Sequence, residues 1–238
     1  NVLLGSAVVA LNLRQAPLLA RQLTTLDHLS GGRLVAGLSI GGRPEEYAAY
    51  RMDTPRRVAA FNENLSTLRA LLAGQPVVHD GELYRLEGAL VRPASIPPIL
   101  IGGVVEAALK RAGRLADGWV MAPFGSVKDF ERSWSIVLEA AEQAGRDPNQ
   151  MVASRLLYVA IDDDKHQGLR ALKQFLHTYY GPSYEVEKHA IFGSTTQIAD
   201  KLREQIDAGI THLMLGVPTL SIEALTQIAD EVIPALRN

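Results

Sequence analysis

Residues 14–42 constrain the fold more than any other stretch, because they read as a helix, a tight turn and a buried strand that ends in glycines. The helical pattern runs from Ala16 to Leu29 with Pro17 in its first turn, and the Ser-Gly-Gly at 30–32 is typical of a helix stop. The apolar run from Arg33 to Ile40 predicts the strand. This order indicates a βα repeat with a site at the strand's C-terminal end.

A second strand end of this kind follows the short apolar strand predicted at Ile99 to Ile101. Two glycines and a valine come next, and a helix is predicted from Glu106. Backbone without side chains lets amide groups approach an anion at the start of a helix. Gly102, Gly103 and Val104 are therefore candidates to bind the phosphate of a cofactor. The competing interpretation is a glycine turn that serves only tight packing.

Strand-like and helix-like runs alternate along the rest of the chain, a pattern typical of parallel βαβ units. Further strands are predicted at Val2 to Ala10, where the strand reads as buried, Gly118 to Ala122, Met151 to Ile161 and His212 to Val217. Helices are predicted at Thr54 to Leu72, Glu106 to Leu115, Val127 to Ala144, Thr195 to Ala208 and Ile222 to Leu236, with a less regular helical region reaching Tyr180. Residues Val77 to Leu86 predict a hairpin outside this repeat, and Val58, Phe61, Leu65, Leu68 and Leu72 form the expected core-facing stripe of the long helix.

Composition favours one α/β domain over residues 1–238, since 47% hydrophobic residues in a chain of this length can bury one sizeable core. The net charge of -2 gives no long-range attraction to nucleic acid or anionic lipid, so we expect a small-molecule partner. The chain has no cysteine, which excludes thiol chemistry. No apolar run spans a bilayer and no export signal is present, so we expect a cytoplasmic protein.

Counting the repeats gives about six βα units, whereas a closed (β/α)8 barrel needs eight. We expect the first two units to be missing from this sequence, which begins with Asn1 inside a strand-like run. A doubly wound open sheet is the competing architecture. The barrel is favoured because strand ends that carry glycine recur along the chain, whereas an open sheet has its site at a single switch point.

The motif Leu-Asp-His-Leu-Ser-Gly-Gly-Arg-Leu-Val-Ala-Gly at 26–37 resembles a signature of the bacterial luciferase-like oxidoreductases, which use a flavin or the deazaflavin F420. Pro-Pro-Ile-Leu-Ile-Gly-Gly at 97–103, Ala-Asp-Gly-Trp at 116–119 and Asp-Ala-Gly-Ile at 207–210 match family habits in the same order. The resemblance covers nearly the whole chain. It implies a TIM barrel that holds FMN or F420 at the C-terminal ends of its strands.

The resemblance also implies the residues that would contact the coenzyme. The strand Gly-Ser-Ala-Val at 5–8 matches the place where relatives have a non-proline cis peptide behind the coenzyme ring. The implied coenzyme contacts are Ser6, Ala7, Val8, Ser39, Gly102, Gly103, Val104, Met121 and Ala122. For most of them an ordinary packing role is the alternative. No catalytic acid or base and no metal ligand is assigned.

The implied chemistry is hydride transfer, or oxygen transfer with FMN, between the coenzyme and a small organic substrate. F420 is slightly favoured, because the arginine that luciferase relatives use for phosphate is replaced by Ile40. A flavin reductase would be a partner in the FMN case, and the family predicts a homodimer. The alternative is a non-catalytic flavin-binding or structural remnant of the barrel.

Two further groups of residues could form a metal site and a substrate mouth, but a structural role is favoured for both. The run Asp162 to Asp164 looks like a metal site, but consecutive strand residues point in different directions, so a solvated loop is favoured. Arg43, Glu46 and Tyr47 follow a strand end and would suit the wall of a substrate mouth. A solvated helix start is the favoured interpretation for these three residues.

Overall fold

The chain forms two compact units in the computed structural model, which describes residues 2–52, 55–83 and 85–237, without the side chain at 237. One unit comprises the chain up to Gly103 together with Leu115–Gly118. The other comprises Val104–Arg114 and the chain from Trp119 onward. Both units alternate parallel strands with helices, as the sequence predicts.

The elements up to residue 102 are β1 Leu4–Gly5, β2 Val9–Ala10, α1 Ala16–Ser30, β3 Leu34–Ser39, α2 Pro44–Ala49, α3 Arg57–Leu72, β4 Val77–Asp80, β5 Arg85–Ala89 and β6 Ile99–Gly102. The elements that follow are α4 Glu106–Leu115, β7 Gly118–Met121, α5 Val127–Gln143, β8 Val152–Ile161, α6 Lys165–Tyr180, α7 Val186–His189, β9 Ile191–Gly193, α8 Thr195–Asp207, β10 His212–Gly216, α9 Ile222–Gln227 and α10 Ile233–Arg237. A π-helical segment, Ile228–Val232, separates the last two helices.

Strand β3 is the centre of the first unit, and β1, β2 and β6 all pair parallel with it. Its first five residues are buried, as the sequence predicts for a parallel strand covered on both faces. Helices α1 and α3 pack against each other in this unit. Helix α1 ends at Gly31, whose φ of 70° is the left-handed conformation that glycine adopts without a Cβ penalty.

The prediction of one buried strand from Val2 to Ala10 is wrong. The segment divides into β1 and β2, and Val2, Leu3 and Leu4 are all exposed to 44% or more. The sequence pattern registers only apolar and β-branched character, whereas burial depends on which elements cover the strand. Between β1 and β2 the chain leaves the ladder with β3 at Ser6 to Val8, which divides the segment.

In helix α3, four of the five side chains predicted to face the core are buried, which confirms the prediction for those four. Phe61, Leu65, Leu68 and Leu72 are all 2% exposed or less, whereas Val58 is 41% exposed. Val58 lies in the first turn of the helix, where fewer neighbouring elements cover the side chains. Thr54, where the sequence prediction begins this helix, lies outside the described residues.

The long strand β8 organises the second unit. Strand β10 pairs with it from Ser154 to Tyr158, and β9 pairs with it from Val159 to Ile161. One apolar cluster joins Tyr158 and Ala160 to α6, and another joins Leu157 and Val159 to α8 and the π-helical segment. Both faces of β8 are therefore covered by helices.

The end of the chain differs from the single helix predicted at Ile222 to Leu236. Helices α9 and α10 are separated by the π-helical turn, in which Val232 is fully buried. A π turn changes the backbone hydrogen bonding over a single turn, which is too short for the periodicity of apolar residues to reveal. Three further elements, α2, α7 and β9, were not predicted from the sequence, and each is six residues or shorter.

Candidate functional site

The C-terminal ends of β2, β3 and β6 meet at one edge of the first unit. Ala10 lies opposite Ser39, and Leu38 lies opposite both Val9 and Ile101. Val8 precedes the first of these strand ends and Gly102 completes the last. The fold therefore brings together three of the residues that the sequence assigns to the coenzyme, Val8, Ser39 and Gly102.

Val8 packs closely on two glycines, Gly37 and Gly102. A Cβ built on Gly37 would lie 3.1 Å from Val8 Cγ1 and 1.9 Å from the carbonyl oxygen of Ser6. A Cβ on Gly102 would lie 3.1 Å and 3.3 Å from the two methyl groups of Val8. The missing side chains are thus what allows the segment at residues 6–8 to lie across β3 and β6.

The peptide bond between Ala7 and Val8 is cis, as the family resemblance implies for this strand. Ser6 fixes the start of the same segment, because its Oγ donates to the carbonyl of Gly37 at 2.9 Å. Its amide donates to the carbonyl of Val35 at 3.3 Å. Val8 remains 37% exposed, so this segment presents an apolar surface at the strand ends.

Ser39 is partly buried at the end of β3, and its hydroxyl has a local partner. The amide of Gly41 donates to Ser39 Oγ at 3.2 Å, which closes a small turn. Gly41 has a φ of 87°, so the turn needs a residue that tolerates the left-handed conformation. The hydroxyl oxygen accepts this bond, and its hydrogen remains available as a donor.

Tyr47 is not part of a substrate mouth, because it is 2% exposed. Its hydroxyl donates to the carbonyl of Ile40 at 2.6 Å and accepts from Nδ2 of Asn12 at 3.1 Å. Asn12 also donates to the carbonyl of Arg57 at 2.9 Å and is 4% exposed. The pair therefore joins the loops that follow β2 and β3. Asn12 was not predicted as a site residue, and its only signal in the sequence is a polar residue between two leucines.

Gly102 is the last residue of β6, and Gly103 and Val104 follow it directly. Val104 is 64% exposed. Helix α4 begins after Val105, whose carbonyl accepts from the amides of Ala108 and Leu109 at 2.8 Å and 3.1 Å. Valine has no polar side-chain atom. In contrast, the side chains of Ser126, Asp164, Ser194 and Ser221 cap the N-termini of α5, α6, α8 and α9. A helix start without a side-chain cap suits an anion.

Met121 and Ala122 lie at the end of β7 in the second unit. Met121 is 5% exposed, and its Cε would be 3.0 Å from a Cβ built on Gly125. Ala122 is partly exposed, and its carbonyl accepts the amide of Phe124 at 2.7 Å. Of the two residues, Ala122 therefore offers the more accessible surface.

Within the aspartate run at 162–164, Asp162 and Asp164 accept hydrogen bonds from nearby backbone amides. Asp162 Oδ1 accepts the amide of Asp164 at 2.8 Å, and Asp164 caps α6 by accepting the amide of His166 at 2.9 Å. Within the described ranges, no group of three His, Cys, Asp or Glu side chains is arranged to hold a metal ion. Among those residues, none of the helices is both long and apolar enough to cross a membrane.

Comparison with known proteins identifies the family. The model of the luciferase-like monooxygenases matches residues 1–212. The chain belongs to this family. It is 27% identical over 265 residues to the F420-dependent glucose-6-phosphate dehydrogenase of Kineococcus radiotolerans, which covers 100% of the chain and 79% of that protein. It is 27% identical over 195 residues to the 5,10-methylenetetrahydromethanopterin reductase of Methanolobus tindarius, covering 80% of the chain and 59% of the reductase.

A solved structure of an F420-dependent secondary alcohol dehydrogenase, in complex with an F420-acetone adduct, has the same fold, with a TM-score of 0.87 and 19% identity. The match covers 100% of the chain and 80% of that structure. The predicted fold class, an α/β barrel of the luciferase-like type, is confirmed. The predicted family is confirmed as well, and with it the class of enzyme and coenzyme: an oxidoreductase that uses F420 or a flavin.

Proposed function

We propose that this chain binds F420 at the strand ends of the first unit and transfers hydride between that coenzyme and a small organic substrate. The proposal depends on the packing of Val8 on Gly37 and Gly102, which forms an apolar surface where β2, β3 and β6 end. We call this surface the coenzyme shelf. Active sites of barrel enzymes lie at the C-terminal ends of the strands. FMN is the alternative coenzyme, and it would add oxygen chemistry.

The residues of the first unit fit a flat ring with a phosphate-bearing tail. Ser6, Ala7 and Val8 would support one face of the ring, and the hydroxyl of Ser39 would donate to a ring heteroatom. The backbone of Gly102 and Gly103 would approach the phosphate closely, because neither residue has a side chain in the way. Val104, Met121 and Ala122 stay predictions from the sequence.

The bound coenzyme would supply the hydride chemistry, and the protein would supply binding, orientation and exclusion of water. Ser6 and the Asn12 and Tyr47 pair hold the loops that frame the shelf, so they act as positioning residues. The secondary alcohol dehydrogenase and the sugar phosphate dehydrogenase among the relatives favour an alcohol or its carbonyl partner as substrate.

Titration of the purified protein with F420 and, separately, with FMN tests this proposal through quenching of coenzyme fluorescence. We expect F420 to bind more tightly than FMN and Gly102→Val to abolish binding, because the added methyl groups would meet Val8. Gly42→Val is the matched control, since a Cβ on Gly42 meets nothing within 4 Å. If neither coenzyme binds, the proposal fails and the alternative of a structural remnant is favoured.

A further inference from the structure

Phe124 is a large apolar side chain that lies just beyond the end of β7 and is 40% exposed. Its amide donates to the carbonyl of Ala122 at 2.7 Å, so the chain makes a tight γ-type turn at this point. The turn keeps Phe124 beside Ala122, the more accessible of the two residues that the sequence assigns to the coenzyme in this unit. Residues at such strand ends are where barrel enzymes contact their ligands.

The loop that carries Phe124 is held from both sides by buried donors. The hydroxyl of Tyr184 donates to the carbonyl of Pro123 at 2.8 Å, and Nη2 of Arg155 donates to the carbonyl of Gly125 at 2.6 Å. Tyr184 is 6% exposed and Arg155 is 3% exposed. Gly125 has a φ of 82°, and a Cβ there would lie 3.2 Å from Cβ of Asp129. The backbone around Phe124 is therefore rigidly placed, although the ring itself is accessible.

Three rings support Phe124 from within the unit. Its ring centroid lies 5.6 Å from that of Tyr180, 5.4 Å from that of Tyr184 and 5.9 Å from that of His189, at steep interplanar angles of 66° to 78°. Tyr180 and Tyr184 stack on each other at 4.8 Å. The distances and angles between Phe124 and its three neighbours are those of favourable edge-to-face ring pairs. We call Phe124, Tyr180, Tyr184 and His189 the Phe124 cluster.

The rings of this cluster are neutral at pH 7. Burial raises the pKa of Tyr184 to about 12 and raises that of Tyr180 further. Burial, aided by the charge of Lys188, lowers the pKa of His189 below its usual value. A rigid, uncharged ring surface suits a flat apolar group and offers no charge to a phosphate.

We propose that the Phe124 cluster is a substrate-contact wall at the end of β7, and that Phe124 selects substrates that carry a flat, apolar ring. The proposal rests on the function proposed above for the choice of reaction. Ligand binding by the Phe124 cluster does not depend on that proposed function, because every residue of the cluster belongs to the second unit.

The direct test is binding of 2-naphthylmethanol, followed by its fluorescence anisotropy, with glucose 6-phosphate and cyclohexylmethanol as competitors. We expect the naphthyl alcohol to bind and neither competitor to displace it at equal concentration. Phe124→Leu keeps an apolar side chain but removes the ring, and should weaken binding by about three- to tenfold, the value of one aromatic pair. Absence of binding, displacement by glucose 6-phosphate, or an unchanged Phe124→Leu affinity overturns the proposal.

Two other variants distinguish direct contact of Phe124 with the ligand from the role of Tyr184 in holding the loop that carries Phe124. Tyr184→Phe keeps the ring and removes only the bond to Pro123, so it should weaken naphthyl binding by less than Phe124→Leu. It carries the test if Phe124→Leu does not fold. Tyr179→Phe is the matched control, because this tyrosine is 56% exposed and pairs with Tyr180 at 4.7 Å, not with Phe124. Equal losses in Tyr179→Phe and Tyr184→Phe contradict the proposal.

The two proposals fail differently. Naphthyl binding measured without coenzyme tests the wall alone, and F420 titration tests the coenzyme shelf alone. If the naphthyl alcohol binds and F420 does not, the wall stands and the proposed function fails. If F420 binds and the naphthyl alcohol binds neither with nor without it, the wall is wrong and the proposed function stands.

Discussion

The carbonyl oxygen of Ser6 lies where the Cβ of any residue larger than glycine at position 37 would stand, with 1.9 Å between the two atoms. Real Cβ atoms do not approach an oxygen so closely, and the obstacle is backbone, which cannot rotate away. Gly102 is different, because the atoms closest to its built Cβ are the methyl groups of Val8 at 3.1 Å and 3.3 Å, and the nearest backbone atom, the carbonyl oxygen of Leu38, lies at 3.8 Å. The two glycines therefore tolerate a methyl group to different extents.

Gly37→Ala should lower the free energy of unfolding by about 1–3 kcal/mol, the usual cost of forcing extra volume into a packed core. It should also weaken F420 binding, because the segment at residues 6–8 must move off β3. Gly102→Ala is the control, with a smaller loss of stability since side-chain methyl groups can shift by a few tenths of an ångström. Urea unfolding of both variants measures the difference. Equal stability of the two variants would contradict this account of the shelf.

Asp27 holds the start of β3, at the opposite end of the strand from the shelf. Its Oδ1 accepts the amide of Leu34 at 3.1 Å, and its Oδ2 accepts the hydroxyl of Ser95. Asp27→Ala should cost about 1–3 kcal/mol of stability, since both donors lose a charged acceptor. The dissociation constant of F420 should stay unchanged for the folded fraction. Asp163→Ala, at an exposed position, serves as the control, and weaker F420 binding by folded Asp27→Ala would show that the motif contributes to the site.

The motifs that reveal the family have structural roles, which explains why they predict the fold well. Asp27 belongs to the motif at 26–37, and Asp117 belongs to the Ala-Asp-Gly-Trp motif. Asp117 Oδ2 accepts the amide of Ile99 at 2.8 Å and Nη2 of Arg69 at 3.0 Å, so it holds the start of β6. Each aspartate fixes the start of a parallel strand, and the period of apolar residues gives the strand itself.

The sites could be predicted only in part, because their geometry depends on contacts between distant residues. The position of the coenzyme shelf follows from glycines at strand ends, which are visible in the sequence. The bond from Asn12 to Tyr47 and the bonds from Tyr184 and Arg155 to the Phe124 loop join residues 30 to 61 positions apart. Such pairs have no period and no fixed spacing, so the sequence predicts neither the burial of Tyr47 nor the ring contacts of Phe124.

Stability should fall with acidification because of His212. Burial lowers the pKa of this histidine below its ordinary value of 6.5, and its Nδ1 lies 3.0 Å from the hydroxyl of Thr211. Between the lowered folded pKa and 6.5, the unfolded chain binds a proton that the folded chain does not. The free energy of unfolding should therefore be highest above pH 6.5 and fall as the pH drops through this window.

His212→Gln measures this contribution, since it keeps the backbone carbonyl that accepts Ser154 Oγ at 3.0 Å. Urea unfolding between pH 7.5 and about pH 5 should show a smaller decline for the variant than for the natural chain. A decline remains in both, because the pKa of His189 is lowered too. A steeper decline of the free energy of unfolding in the variant would contradict the prediction, because it would mean that His212 stabilises the folded chain as the pH falls.

Arg155 should tolerate replacement by methionine better than replacement by lysine, because it is a buried cation with two divergent partners. Nη1 donates to Oε1 of Gln205 at 2.7 Å while Nη2 donates to the carbonyl of Gly125 at 2.6 Å. Arg155→Met leaves both acceptors without a donor, at about 1–3 kcal/mol each, but removes the buried charge. Arg155→Lys keeps the charge and cannot reproduce the planar fork.

Urea unfolding should therefore rank the natural chain above Arg155→Met and Arg155→Met above Arg155→Lys. Arg155→Met releases the carbonyl of Gly125, so it should also weaken naphthyl binding while Phe124 is intact. Arg146→Met is a useful comparison, because this arginine donates to the carbonyl of Gly113, away from the Phe124 loop, at 2.9 Å. It should lower stability without changing naphthyl affinity. If it weakens that affinity as much as Arg155→Met does, the effect is a general loosening of the unit and Arg155 does not position Phe124.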